Sequence, residues 1–435
     1  MHIGIGRVDI TPPVGIDLTG FIAREGPCTG VHDPLFATSL VAVEADRAIA
    51  LVSCDLIGLG SALVRRVRHQ VEERWGIPAA AQMYACTHTH GGPETGVLIS
   101  LAQPDPAYLE HLEQALIAVT GEAIGKLQEA RIGWRQGVCY AAHNRVLARA
   151  QKDDTLIDPD VVVVRLTASD GSPIGALVHY TCHPVAAGHA ERLATADWCG
   201  VVRRELEALG AGPVLVINGA GGDINPRIVQ RGFTAVENVG QAIATVAVQL
   251  WQEASADAYA GVEWAQAAVL LTLLPLGDAA TVANALTAWK ETIAREEPEQ
   301  VAYRAGKVVY RNYAYRLARH YWGSEPLGIY HGETQVLRLG PLTVVALPGE
   351  FFSAYGRQIK DRGSTPLTIV AGWANDNLGY FPTAELFPIG GYEMDTAARY
   401  YGFPAPWAPE SGAAVVTKAR ALMHHCALTG EGGRS

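Results

Sequence analysis

Met83-Tyr84-Ala85-Cys86-Thr87-His88-Thr89-His90-Gly91-Gly92-Pro93 carries the fold in miniature. A short apolar run, 83–86, stops abruptly at polar side chains and two glycines. A run of this length bounded by turn residues reads as a buried strand. Just upstream, Leu63, Val64, Val67, Val71 and Trp75 keep helical spacing between 61 and 75, and Gly76 ends that helix. Downstream, 108–127 is a second amphipathic helix, with Leu109, Leu112, Leu116, Val119 and Ala123 on one face. The unit is therefore helix, strand, polar loop, helix.

The same alternation runs outward in both directions. Strands are expected at 40–43 and 49–53, joined by Ala45-Asp46-Arg47, and at 161–166 and 174–180, around Ser169-Asp170-Gly171. A helix at 197–209, a short strand at 214–217 and a helix at 236–251 follow. The stretch 278–325 differs, being charged, tyrosine-rich and helical, and reads as an insertion that shapes a pocket or a homo-oligomer interface. Strand signal returns at 335–339, 343–347 and 367–371. Strands alternating with helices predict an α/β fold of layered mixed sheets flanked by helices. The reading is one domain over 1–435.

Polar groups gather where the apolar runs stop. Cys54-Asp55, the 87–93 segment, Cys182-His183-Pro184, Asn218 to Pro226, Pro348-Gly349-Glu350 and Asn375-Asp376-Asn377 each follow one. Ligands of open α/β sheets collect at the carboxyl ends of strands, so these segments are expected to share one polar site. His88 and His90 are its first candidates, because neutral imidazole is the commonest metal ligand. His183 lies at a strand rim, and His179 competes with it because alternation puts both on one side. Glu350 is a carboxylate among apolar residues, which is costly unless it is paired or metal-bound. The glycine-rich 218–226 loop lacks the Lys and Ser/Thr of a phosphate-binding loop.

Composition excludes other classes. About half the residues are apolar and 18% are charged, which suits a folded enzyme and not a disordered chain. The net charge of −10, with no long basic run, argues against a nucleic-acid partner. No run of ~20 apolar residues encodes a membrane span. Seven dispersed cysteines without a CxxC pair, and a start with no basic-then-apolar leader, point to reduced thiols and a cytoplasmic protein.

Taken together the motifs resemble the catalytic domain of the neutral/alkaline (non-lysosomal) ceramidase family. The matching segments are Gly6-Arg7-Val8-Asp9-Ile10-Thr11-Pro12-Pro13, His32-Asp33-Pro34-Leu35, Thr87 to Pro93, Asn144-Arg145, His183-Pro184, Gly222-Asp223-Ile224-Asn225-Pro226, Pro348-Gly349-Glu350-Phe351 and Gly379-Tyr380 through Gly391-Tyr392-Glu393. Their order holds from about residue 4 to 400. The resemblance implies a single zinc ion bound by His88, His183, Glu350 and Tyr380, with His90 acting beside the metal. It implies that Arg145 holds the substrate's polar group, that Tyr392 lies near the reacting carbonyl, and that Asp223 and Asn225 contact substrate. The family's serine falls on Asn225, which is no hydroxyl nucleophile. The family's C-terminal β-sandwich is not expected here.

The implied function is zinc-dependent hydrolysis of a small-molecule amide by metal-activated water, on a substrate other than ceramide. His90 would manage the proton, Tyr392 would steady the oxyanion, and Asp55 and Asp197 would orient the ligand histidines. Alternatives are hydrolysis of a true N-acylsphingosine, and a zinc esterase or lactonase acting on an ester. A metal-dependent hydrolase barrel would need its His-x-His after the first strand and an eightfold rhythm, which this sequence lacks. A binding protein with a degenerate metal site is the nonenzymatic rival.

Overall fold

The carboxyl ends of strands from two sheets come together around the His-rich loop. The computed structural model describes residues 1–98, 102–275, scattered positions between 278 and 294, and 329–432. Most of the insertion expected at 278–325 lies outside the described residues. The larger sheet has eight strands in the order Val214–Asn218, Pro173–Tyr180, Asp160–Ala168, Gln128–Val138, His2–Asp9, Phe36–Glu44, Arg47–Cys54, Gln82–Cys86. Only the outermost pair at each edge is parallel. Parallel neighbours need a crossover, and helices Ser61–Trp75 and Trp198–Ala208 provide it. The smaller sheet orders Val262–Thr272, Ile329–Leu339, Leu342–Ala346 and Leu367–Ala371.

The layers are mixed α/β, as the alternation predicts. Helix Pro106–Ile124 packs across the His2–Asp9 and Phe36–Glu44 strands, and Phe233–Glu253 across Gln128–Val138 and Asp160–Ala168. The first of these contacts depends on missing side chains. A Cβ on Gly4 would lie 2.0 Å from the Ala123 carbonyl oxygen, and one on Gly6 would lie 2.4 Å from that of Val119. The helix therefore sits directly on strand backbone, and no larger residue fits at either place.

Expected elements fall where apolar periodicity is strong. The 61–75 helix is Ser61–Trp75, closed by Gly76 at φ +70°, and the 367–371 strand is Leu367–Ala371. The 108–127 helix begins earlier, at Pro106, because Asp105 caps it by accepting from the Tyr108 N–H at 2.8 Å. Strands His2–Asp9, Gln128–Val138 and Val262–Thr272, and helix Pro409–Gly432, carry weaker signals that periodicity alone does not reveal. Gly4 and Gly6 dilute the first, and the second alternates buried Ala130 and Ile132 with exposed charges. Among the described residues no helix is long and apolar enough to cross a membrane.

Candidate metal centre

Asn218, at the end of its strand, fastens the two histidine loops together. Its Nδ2 donates to the carbonyls of Thr87 and Cys182, each at 2.8 Å, and its Oδ1 accepts from the Cys182 N–H at 3.1 Å. The smaller sheet closes the site from the other side. Gly372 N–H donates to the Asn218 carbonyl at 2.9 Å and Cys86 N–H to the Trp373 carbonyl at 3.2 Å. His88 stands at φ +66° and Trp373 at φ +49°, left-handed conformations that cost energy outside glycine and cluster at functional sites. Their rings stack with centroids 4.2 Å apart.

Backbone carbonyls assign the proton on two imidazoles. A carbonyl can only accept, so Nδ1–H of His88 donates to Ile57 at 2.6 Å, and Nδ1–H of His183 donates to Gly221 at 2.6 Å. Each Nε2 is then left with a lone pair. His183 Nε2 lies 3.0 Å, and His88 Nε2 3.6 Å, from Glu350 Oε2; His90 Nε2 lies 3.3 Å from His88 Nε2. His88, His183 and Glu350 are fully buried, while His90 is half-buried on the open side. Burial pushes the His88 imidazole down to about 3 and holds His90 and His183 well below the usual value. Neutral imidazoles with lone pairs converging on a carboxylate repel one another unless a cation sits between them. His88, His90 and His183 thus form a group able to hold a metal ion, and the donor set fits the metal that the resemblance implies.

Glu350 is delivered by a close approach. A Cβ on Gly222 would lie 2.3 Å from the Glu350 carbonyl oxygen, so only glycine lets the 218–226 loop pass. Glu350–Phe351 pairs in parallel with Tyr380–Phe381, which makes Glu350 and Tyr380 register neighbours. The Tyr380 hydroxyl meets Arg145 Nη2 at 2.9 Å, and burial raises its pKa well above that of a free phenol. Arg145 is otherwise committed to the Gly222 carbonyl (2.9 Å), to Asn225 Oδ1 (3.3 Å) and to Glu393 (3.0 Å). Tyr392 packs edge-on to Tyr380, with centroids 5.7 Å apart. Asp223 is buried and scaffolds the loop, accepting from Ser353 N–H and Asn144 Nδ2, each at 2.6 Å.

The histidines are oriented by backbone, contrary to the roles expected of Asp55 and Asp197. Asp55 accepts from Arg203 (2.6 Å) and Phe36 N–H (2.9 Å), and Asp197 accepts from the N–H groups of Ala187 and Trp198. His179 is not in the histidine group; its Nδ1–H donates to the Ile217 carbonyl at 3.1 Å. Sequence reasoning missed Tyr401, whose hydroxyl donates to Glu350 Oε1, and Trp373 beneath His88. The clustering of Tyr380, Tyr392, Tyr400 and Tyr401 in the sequence is the available signal for the first. Nothing local marks the second.

Residues 1–213 match the family model described as neutral/alkaline non-lysosomal ceramidase, N-terminal. The neutral ceramidases of Drosophila pseudoobscura pseudoobscura and Drosophila melanogaster are 27% and 28% identical over 225 residues, 47% of this chain. That match spans 32% of the relatives' own length. Among solved structures, a neutral ceramidase from Pseudomonas aeruginosa superposes with a TM-score of 0.75 at 16% identity, over 99% of this chain and 74% of that one. A ceramidase complexed with C2 gives 0.75 at 17%, over 98% and 75%. The motif order, the family model matched over residues 1–213 and the shared fold agree: the chain is similar to the neutral/alkaline non-lysosomal ceramidases.

Proposed function

We propose that the chain is a metal-dependent hydrolase of carbon–nitrogen (amide) bonds, acting on a substrate other than ceramide. The observation that carries this reading is the convergence of the unprotonated Nε2 atoms of His88 and His183 on Glu350, with His90 Nε2 3.3 Å from that of His88. His88, His183 and Glu350, with Tyr380 alongside, would hold one zinc ion. Zinc bound there supplies a Lewis acid that polarises a carbonyl and lowers the pKa of water.

The chain's own residues do the rest. Asn225 carries an amide where the family has serine, so the attacking group is water. His90, neutral and on the open side, takes the proton at Nε2, a role worth ~10²–10⁴-fold in rate. Burial keeps the Tyr392 phenol protonated, so its O–H donates to the developing oxyanion. Arg145, charge-balanced by Glu393, holds the Tyr380 hydroxyl in place. The 3.3 Å spacing of His90 from His88 also supports His90 as a further ligand. Metal retained by His90→Ala would favour the proton role. Seven buried cysteines, with no disulfide between them, support a cytoplasmic setting.

The test is to load the purified protein with zinc and assay amides, esters and N-acylsphingosine. Amide hydrolysis that is lost with the metal in His88→Ala is expected. If no metal co-purifies and His88→Ala behaves as wild type, the reading fails; turnover of N-acylsphingosine would restore ceramide as the substrate.

A further inference from the structure

The rim beside His90 carries positive charge that the protein itself does not answer. Phe21 lies edge-on to His90, with centroids 4.8 Å apart, and is flanked by two guanidiniums. Arg24 Cζ stands 5.0 Å, and Arg231 Cζ 5.8 Å, from its ring centre. The buried arginines nearby have carboxylates: Arg145 meets Glu393, and Arg203 meets Asp55. Buried Arg24 and exposed Arg231 meet none among the described residues. Arg24 is only 8% exposed and donates to the carbonyls of Thr19, His90 and Glu191; burial pushes its pKa down to about 10. Uncompensated charge in so dry a place is costly and awaits an anion.

Arg231 is the one that can reach a ligand. It donates from Nη1 to the Val185 carbonyl, and no described residue accepts from its Nε or Nη2. Asp197 is the acid that acts on it, but both Asp197 oxygens are occupied by backbone N–H groups. Arg231 also lines a groove of about 710 Å³ with Tyr140, Ile228 and Val229, room enough for a small molecule. The whole chain carries −10, so this local excess runs against its general charge.

We propose that the substrate is an amide bearing a carboxylate, an N-acyl amino acid, and that Arg231 pairs with that carboxylate while the amide carbonyl faces the histidine group. This rests on the hydrolase reading above. In the reaction, water adds its oxygen to the acyl carbon, the carbon–nitrogen bond breaks, and the amine leaves with a proton. A planar guanidinium suits a carboxylate through two parallel N–H donors. Arg24 is the buried charge behind it.

The test uses the zinc-loaded full chain and two probes that resist hydrolysis, N-(hexylsulfonyl)glycine and N-(hexylsulfonyl)glycinamide, in calorimetric titrations. The carboxylate probe should bind about 10- to 100-fold more tightly than the uncharged one. Arg231→Met should erase that difference and Arg231→Lys should keep part of it, with circular dichroism checking that both variants fold. Equal binding, no binding of either probe, or an undiminished difference in Arg231→Met overturns the proposal. A parallel amide-hydrolysis assay keeps the two readings apart. Preference for the carboxylate probe without hydrolysis sinks the hydrolase reading alone, and hydrolysis of neutral amides without that preference sinks the anion site alone.

Discussion

A single phenol shows how much of the centre depends on individual side chains. Tyr401 donates its hydroxyl to Glu350 Oε1, while Oε2 faces His88 and His183. One carboxylate oxygen is thus held so that the other can point at the imidazoles. Partners of this kind set ligand orientation, and their loss weakens metal binding by roughly 10- to 100-fold. Tyr401→Phe keeps the ring and removes only the hydroxyl, so the fold should survive while chelator competition reads a weaker site. Undiminished affinity would show that Glu350 needs no such support. At this scale the ligand candidates were legible, because His and Glu at strand ends have few other uses. Tyr401 was not, because one tyrosine in a cluster looks like core.

Between elements, the site is a joint where strand ends are tied to one another. Asn218 alone spans the Thr87 and Cys182 loops with three hydrogen bonds, all buried. Asn218→Ala would leave an N–H and two carbonyls without these partners, at a cost of roughly 2–4 kcal/mol. Urea unfolding should record that loss, together with weaker metal retention, since the loops bearing His88 and His183 would come apart. A variant as stable as wild type would mean that other contacts align them. Strong apolar runs such as 214–217 announce their strands in advance. Glycine-diluted or polar strands such as His2–Asp9 and Gln128–Val138 do not, because their pairing comes from neighbours distant in sequence.

Across the whole molecule, buried titratable groups set the response to acid. His179 lies apart from the histidine group, inside the larger sheet, and burial with nearby Lys360 holds its imidazole down to about 4 against the pull of Asp158 and Asp160. Its unfolded value is 6.5, so the folded state binds fewer protons between pH 6.5 and 4. The stability it contributes is present above pH 6.5 and drains as pH falls towards 4. Burial holds Asp197 and Asp223 up to about 6, so they act in the opposite sense, losing stability as pH rises through that range. Comparing wild type with His179→Gln cancels the aspartates. The variant should lose about 3 kcal/mol less between pH 7 and pH 4, because a tenfold change in proton affinity is about 1.36 kcal/mol. Parallel pH profiles of unfolding free energy would refute a neutral buried His179.

By itself the sequence determined the α/β alternation, the strand ends where chemistry gathers, and the residue types that can hold a metal. These follow from local periodicity and from what His, Glu and Gly can do in any context. Only the tertiary structure decided that backbone carbonyls of Ile57 and Gly221 orient the imidazoles, that Trp373 lies under His88, that Arg145 is already balanced by Glu393, and that Arg24 and Arg231 meet no carboxylate among the described residues. The physical reason is that a proton's position, a stacked ring and a missing counter-charge belong to pairs of groups brought together in space, and no stretch of chain records its own distant partners.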